Sequence, residues 1–262
     1  MKRTADRLLR VALPPLLCFA LVILAWHLAV DLLAIKPFLL PGPLDVAGAM
    51  AKHANQLLTG AWLTLSSALT GFILSFLCGV LIALLFSQSR LIERSLYPYA
   101  IFLQTVPIVA IAPLIVLWIG HGFYGVVAVS FIISLFPVIV NTTTGLTSVE
   151  PALLDLFALN NANRWQLLTK LRLPHAVPHM LTGAKISSGL SVIGAIVGDF
   201  FAGFSTDDFG LGYYILMTNA QGKTDFLFAC IVFCTLLGLA IFTAISLLSN
   251  FIMARWGGGP PS

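Results

Sequence analysis

Six stretches of mostly apolar residues, at about 13–35, 63–87, 97–119, 122–142, 183–204 and 226–253, dictate what this chain can become. Each is long enough to cross a bilayer, which takes about 20 apolar residues as a helix. Lipid offers no water to backbone N–H and C=O groups, so a span that is not part of a closed barrel satisfies them as α-helix. The expected fold is therefore all-α and polytopic, with about six transmembrane helices in a single transmembrane domain over residues 1–262. Charge agrees with this reading. Only 9% of the residues are charged, against roughly 25% in a soluble domain. That is too little to coat a water-facing surface of this size, and no soluble domain or internal repeat is visible.

Lys2, Arg3, Arg7 and Arg10 precede the first run, as in a signal peptide. The run outlasts the roughly 7–15 apolar residues of such a signal, and no small-residue cleavage site ends it. A retained first span is expected. Cys18, Cys78, Cys230 and Cys234 all fall inside apolar runs and read as small core residues rather than a disulfide framework.

Lysine and arginine counts near span ends set orientation. A cytoplasmic N terminus leaves Lys2, Arg3, Arg7, Arg10, Arg90, Arg94, Arg164, Lys170, Arg172, Lys185 and Arg255 inside, and only Lys36, Lys52 and Lys223 outside. Both termini are then expected inside, with the 143–182 loop. The net charge of +4 thus reflects sidedness, and no nucleic-acid partner is expected. Outside, Pro41-Gly42-Pro43 followed by Leu44, Val46, Ala47 and Met50 suggests a short interfacial helix. Residues 205–225, with Asp207-Asp208 and Gly210-Leu211-Gly212, suggest an irregular loop with helical content at 211–219. Gly120-His121-Gly122 reads as a tight hairpin, and the tail at about 256–262 as disordered.

The longest polar stretch lies on the inner side, at about 149–174. Glu150-Pro151 suits a first helical turn, where proline is tolerated and an acid favours the positive helix end. Asn160-Asn161 suits a tight turn, because asparagine tolerates the left-handed conformation. Asn163 then caps a second helix, with Gln166 three residues on as its capping-box partner. Pro174 is expected to stop that helix. The segment reads as two short helices joined by an asparagine turn, a shape that a soluble partner can grip.

At these residues the chain resembles the permease subunits of bacterial ATP-binding-cassette importers. Their coupling motif begins Glu-Ala-Ala, continues through a Gly, and ends in Leu-Pro. Here the order is Asp155-Leu156-Phe157, three residues, Asn161, nine residues, Leu171, one residue, and Leu173-Pro174. Leu156 and Phe157 are larger than the alanines they replace. Further similarity runs through Leu40-Pro41-Gly42-Pro43, Gln104 to Trp118, Phe136 to Asn141, Arg164-Trp165 and Phe209 to Tyr213. The order and spacing resemble the taurine, sulfonate, nitrate, bicarbonate and thiamine-precursor branch.

The resemblance implies a type I ABC importer permease fold in the bacterial inner membrane, with cytoplasmic coupling helices. It implies a second copy of this permease, two cytoplasmic ABC ATPase subunits and a periplasmic solute-binding protein as partners. Asp155, Leu156, Phe157, Asn161, Arg164, Trp165, Leu173 and Pro174 would form the ATPase-coupling surface. No Gly-x-x-x-x-Gly-Lys-Ser/Thr phosphate loop occurs in the chain, so no cofactor is expected here, and ATP and magnesium would sit on the partner. The chain itself would be no enzyme. The implied solute is a small polar or anionic molecule such as a sulfonate, nitrate or bicarbonate, or a pyrimidine or thiamine precursor.

Several polar residues in apolar surroundings are candidates for the solute pathway. Asp199 lies deep in the fifth run, where a carboxyl is costly unless it lines water or has a partner. It reads either as a pathway or gate residue or as a structural hydrogen-bonding group. Gln104, Thr105 and Asn141 read as pathway lining or as ordinary interhelical hydrogen bonds. Pro107, Pro113 and Pro137 free backbone carbonyls near them. Small-residue stripes at Ser66, Ser67, Gly71, Ser75 and Gly79, and at Ser187, Ser188, Gly189, Ser191 and Gly194, read as close helix packing. His175 and His179 lack an acidic partner between them, and no metal site is expected. Two other classes stay open: an ion-coupled secondary transporter, which would want more intramembrane carboxylates, and a membrane-embedded scaffold or enzyme.

Overall fold

The computed structural model describes residues 2–202 and 209–255, with only the backbone described at residues 2–12, 90, 93, 100 and 103. Every regular element among the described residues is helical. In chain order these are α1 (Lys2–Leu32), α2 (Pro43–Lys52), α3 (Ala54–Ser87), α4 (Arg90–Thr105), α5 (Ile108–Ile119), α6 (Phe123–Thr147), α7 (Pro151–Leu159) and α8 (Arg164–Leu167). A π-helical stretch (Leu168–Arg172) leads into α9 (Leu173–Ala202), followed by α10 (Leu211–Ala220) and α11 (Thr224–Arg255). Five helical stretches are long and apolar enough to cross a membrane: Leu13–Leu32, Ala54–Ser87, Phe123–Thr147, Arg164–Ala202 and Thr224–Arg255. Asp207-Asp208 and the tail at 256–262 lie outside the described residues.

The expected third span, 97–119, is not one helix. It breaks between Thr105 and Ile108 into α4 and the shorter apolar α5. Pro107 has no N–H to offer the preceding turn and pushes Val106 out of the helical region. Pro113 and Pro137 sit inside α5 and α6 without ending them. The hairpin after α5 has the expected glycines, with φ of +110° at Gly120 and +84° at Gly122. The interfacial helix after Gly42 is α2, started by Pro43 and held where the Gly42 N–H donates to Asp45 Oδ2 at 3.0 Å.

Pro174 does not stop the second helix of the inner loop. The chain continues from α8 through the π-helical stretch into α9. The wide turn bonds the Leu173 N–H to the Leu168 carbonyl, five residues back. That change of register immediately before the proline absorbs its missing donor, so a continuous helix survives.

The chain divides into two compact units. One comprises Met1–Leu57 and Tyr214–Val232. Aromatic contacts hold it: the Trp26 and Phe228 rings lie 5.9 Å apart, and the His53 and Phe226 rings 4.4 Å apart. Thr224 Oγ1 donates to the Pro37 carbonyl at 2.8 Å. Cys18, on α1, is exposed rather than part of a core.

The other unit comprises Leu58–Tyr213 and Phe233–Ser262 and is organised around α6. Helices approach α6 where side chains are small. A Cβ on Gly194 of α9 would lie 2.7 Å from Ser130 Cα, and one on Gly198 would lie 2.9 Å from Val126 Cα. On α3, a Cβ on Gly71 would lie 2.7 Å from Ser130 Cβ. Ser130 is thus hemmed by one glycine from α3 and one from α9. Its hydroxyl donates to the Ser191 carbonyl at 2.9 Å, and the Ser187 hydroxyl donates to the Ser134 carbonyl. At Gly71, Gly79 and Gly194 the stripes are packing surfaces in which helices come close, and the hydroxyls of Ser130 and Ser187 find backbone partners there.

Candidate functional site

Three features of the α6-centred unit carry the candidate residues: the inner elbow, a cavity beside the α4–α5 break, and the surroundings of Asp199.

The elbow begins at α7, with Pro151 in its first turn and Asn160 closing it. Asn161 follows with φ of +52°, the left-handed conformation its side chain tolerates better than most. Asn163 Oδ1 then accepts from the Gln166 N–H at 2.8 Å, and the Asn163 N–H donates to Gln166 Oε1 at 2.9 Å. This reciprocal pair satisfies two orphan amides at the start of α8.

The root of the elbow is anchored. Leu168 and Leu173 pack on the buried trio Ala83, Leu146 and Ala176. Arg172 Nη1 donates to the Ser87 carbonyl at 2.8 Å, closing the C-terminal end of α3. His175 Nδ1 lies 2.9 Å from the Gly145 carbonyl.

The tip is bare. Leu153, Leu156 and Leu159 recur every third residue on α7 and are all exposed, Leu156 at 52% and Leu159 at 81%. Trp165, across the turn, is 71% exposed. Asp155 and Arg164 are exposed beside them, whereas Phe157 and Pro174 are half-buried. The motif residues therefore divide, with Leu173 and Pro174 at the root and Asp155, Leu156, Asn161, Arg164 and Trp165 at the tip. The contributions of Leu153 and Leu159 were not singled out by the motif. Their three-residue spacing along α7 was the available signal.

A cavity of about 230 Å³ lies beside the helix break. Gln104, Val106 and Ile108 come from the break, and Ile132, Phe136 and Pro137 from α6. The rest of its lining, from α5, α6 and α9, is aliphatic. Of the expected pathway residues, only Gln104 lines it. Asn141 is one turn away, its Nδ2 donating to the Pro137 carbonyl at 2.8 Å. Thr105 is exposed, and its hydroxyl turns back to the Phe102 carbonyl at 2.7 Å. Pro107 makes the break without entering the lining.

Asp199 is 5% exposed and lies elsewhere in the unit. Its Oδ2 accepts from Thr64 Oγ1 at 2.7 Å and from the Gly212 N–H at 3.3 Å. Thr64 Oγ1 in turn accepts from the Leu211 N–H at 2.9 Å. Leu211 and Gly212 open α10, whose first amides have no partner within their own helix. Asp199 and Thr64 together cap that helix from two other helices. A side chain on Gly210 would collide with the Asp199 carboxyl, so the turn before α10 must be this small. Sequence alone flags Asp199 but not Thr64, one hydroxyl among many on an apolar helix.

The sequence pattern of the binding-protein-dependent transport system inner membrane components matches residues 71–256. The chain belongs to that family. It is 34% identical to the formylaminopyrimidine transport permease protein ThiX of Halalkalibacterium halodurans, over 92% of this chain and 95% of that one. It is 32% identical to the riboflavin transport system permease protein RibX of Chloroflexus aurantiacus, over 90% of this chain and 87% of that one. The putative aliphatic sulfonates transport permease protein SsuC of Bacillus subtilis is 26% identical over 92% of this chain and 86% of its own length. Among solved structures, the inward-facing MetNI methionine ABC transporter shares the fold. It has a TM-score of 0.66 at 16% identity, covering 77% of this chain and 98% of its counterpart. The permease is therefore an ABC importer transport subunit of the multi-pass membrane class, not an enzyme.

Proposed function

We propose that two copies of this permease form the solute pathway of an importer in the bacterial inner membrane, with both termini in the cytoplasm. The elbow of α7, the Asn161 turn and α8 docks into a cytoplasmic ATPase subunit, one for each copy. ATP and magnesium are held by that partner. A periplasmic solute-binding protein delivers the solute to the outer face. ATP-driven closure of the ATPase pair moves the elbows, and the pathway shifts between inward-open and outward-open populations.

One observation carries this reading: an exposed apolar stripe, Leu153, Leu156 and Leu159 with Trp165 beside it, on an elbow whose root is fastened to α3 and α6. An exposed apolar patch rimmed by polar residues marks a protein interaction site. The positive-inside count supports its cytoplasmic placement. Asp155 and Arg164 supply charged contacts at the rim of that surface.

Gln104, Thr105, Pro107 and Asn141 belong to the pathway near the helix break, and Asp199 supports it by holding α10. The solute is a small polar or anionic molecule such as a sulfonate, nitrate or bicarbonate, or a pyrimidine or thiamine precursor; the names of two relatives, for formylaminopyrimidine and for aliphatic sulfonates, support this range.

Co-purification tests the assembly. The permease is expressed with the ATPases of its host and isolated by a tag. A Walker-type ATPase is expected to co-purify in equal amount and to be lost when Leu159 is replaced by Asp. Isolation of the intact permease without any ATPase overturns the proposal.

A further inference from the structure

Arg172 ties the elbow to a helix that the chain left long before. It closes the π-helical stretch, and its Nη1 donates to the Ser87 carbonyl at 2.8 Å, across 85 positions of sequence. That carbonyl is among the last four of α3, which no further turn of their own helix can satisfy. A guanidinium suits the negative end of the helix, and a charged donor makes the bond stronger than a neutral one would. Ser87 is buried, and its hydroxyl donates to the Leu84 carbonyl at 2.8 Å. Leu84 packs on the same trio, Ala83, Leu146 and Ala176, that receives Leu168 and Leu173 of the elbow root. Polar and apolar contacts therefore fasten the elbow at one point of α3.

Packing continues from that point to the helix break. Phe86, the neighbour of Ser87, is buried with Phe136 and Ile139 of α6, and Tyr97 of α4 packs against the same group. Phe136 also lines the cavity at the break, together with Gln104 near the end of α4. In the chain, α3 ends at Ser87 and α4 starts at Arg90, so Gln88 and Ser89 alone link them. The fastened end of α3 and the helix that runs to the break are thus joined both by packing and by a short covalent link. Close-packed side chains yield little and pass a displacement on.

We infer that Arg172 is a positioning residue for coupling. It carries movement of the elbow into the end of α3, and from there through α4 to the break and its cavity, beside the covalent route into α9. The inference rests on the importer reading, because the ATPase supplies the movement.

The test uses the full-length permease carrying Val106→Cys, co-purified with the ATPase of its host and placed in lipid nanodiscs. Val106 lines the cavity from the break. Maleimide labelling of position 106 is read by peptide mass spectrometry, in the nucleotide-free complex and after trapping with MgATP and vanadate. With Arg172 in place the two labelling rates are expected to differ about fivefold or more, as coupled sites typically do. Arg172→Met, which keeps an apolar side chain and removes the donors, should capture the ATPase in equal amount and make the two rates nearly equal. Arg172→Leu serves if the methionine variant does not purify. A merely structural Arg172 would lower the melting temperature and leave the rate difference intact, and that result overturns the inference. Equal rates with Arg172 in place overturn it too. Absence of the ATPase from the parent complex overturns the importer reading and this inference with it, whereas an intact rate difference in the variants with the ATPase bound overturns the inference alone.

Discussion

Thr64 and Asp199 stand 135 residues apart in the chain and meet through a 2.7 Å hydrogen bond. The threonine hydroxyl donates to the aspartate and accepts from the Leu211 amide at 2.9 Å. One hydroxyl therefore joins three helices, and the carboxyl on which it rests is used up in holding a helix start. The carboxyl that the sequence flags is thus hydrogen-bonded at the start of α10. Removing the hydroxyl leaves both a buried amide and a buried carboxyl short of a partner. Thr64→Val is expected to destabilise the fold by about 1–3 kcal/mol, and Thr64→Ser by far less. Asp199→Asn keeps an acceptor oxygen for Thr64 and should assemble while altering transport, whereas Asp199→Leu should not assemble. Melting of each variant in detergent, beside uptake for those that assemble, checks the set. Full stability of Thr64→Val would remove the cap from the account.

Two glycines on the same helix make a matched pair. Gly194 faces Ser130 so closely that any side chain must push α6 away, while a Cβ on Gly189 meets nothing within 4 Å. Gly194→Val should abolish stable expression or lower the melting temperature sharply. Gly189→Ala should be neutral or should stabilise by up to about 0.5–1 kcal/mol, since alanine has less conformational freedom to lose in a helix. Similar melting temperatures for the two variants would refute the close approach of α6 and α9.

At the elbow, φ of +52° at Asn161 separates two substitutions. Asn161→Gly should keep the turn. Asn161→Val should strain it by about 1–2 kcal/mol and, on the proposed function, should impair ATP-driven uptake more than it impairs membrane insertion. Parallel measurement of uptake and of permease abundance distinguishes these effects. Normal uptake by the valine variant would place the turn elsewhere.

Trp165 and Leu159 are exposed and support no core. Trp165→Ala and Leu159→Asp should therefore leave the melting temperature of the isolated permease within about 0.5 kcal/mol equivalent, as surface changes do. Both should weaken capture of the ATPase. Loss of permease stability in either variant would show that the stripe serves the fold instead.

How much of this was visible in the chain depends on how far each interaction reaches. The asparagine turn and the Asn163–Gln166 capping box involve residues within three or four positions of each other, and their chemistry is complete in the local sequence. The apolar runs report helices because the period is local too. Prolines were harder. Pro107, Pro137 and Pro174 look alike in sequence, yet the first breaks its helix, the second is tolerated and the third is bypassed. A five-residue turn precedes Pro174 and takes up its missing donor. These accommodations depend on packing and register that composition does not reveal. The Thr64–Asp199 contact lies further out of reach, since nothing near Thr64 in the chain distinguishes it from Thr70 on the same helix.

Pro174 lets the chain pass, and that has a mechanical corollary. From the elbow's root at Leu173 to Ala202 the backbone is one helix of 30 residues that contains Pro178, about 45 Å long at 1.5 Å per residue. Asp199 sits at its far end, gripping the first turn of α10. On the proposed function, displacement of the elbow would be carried along this helix to the opposite side of the unit, with Pro178 the one place near the root where the hydrogen-bond ladder lacks a donor.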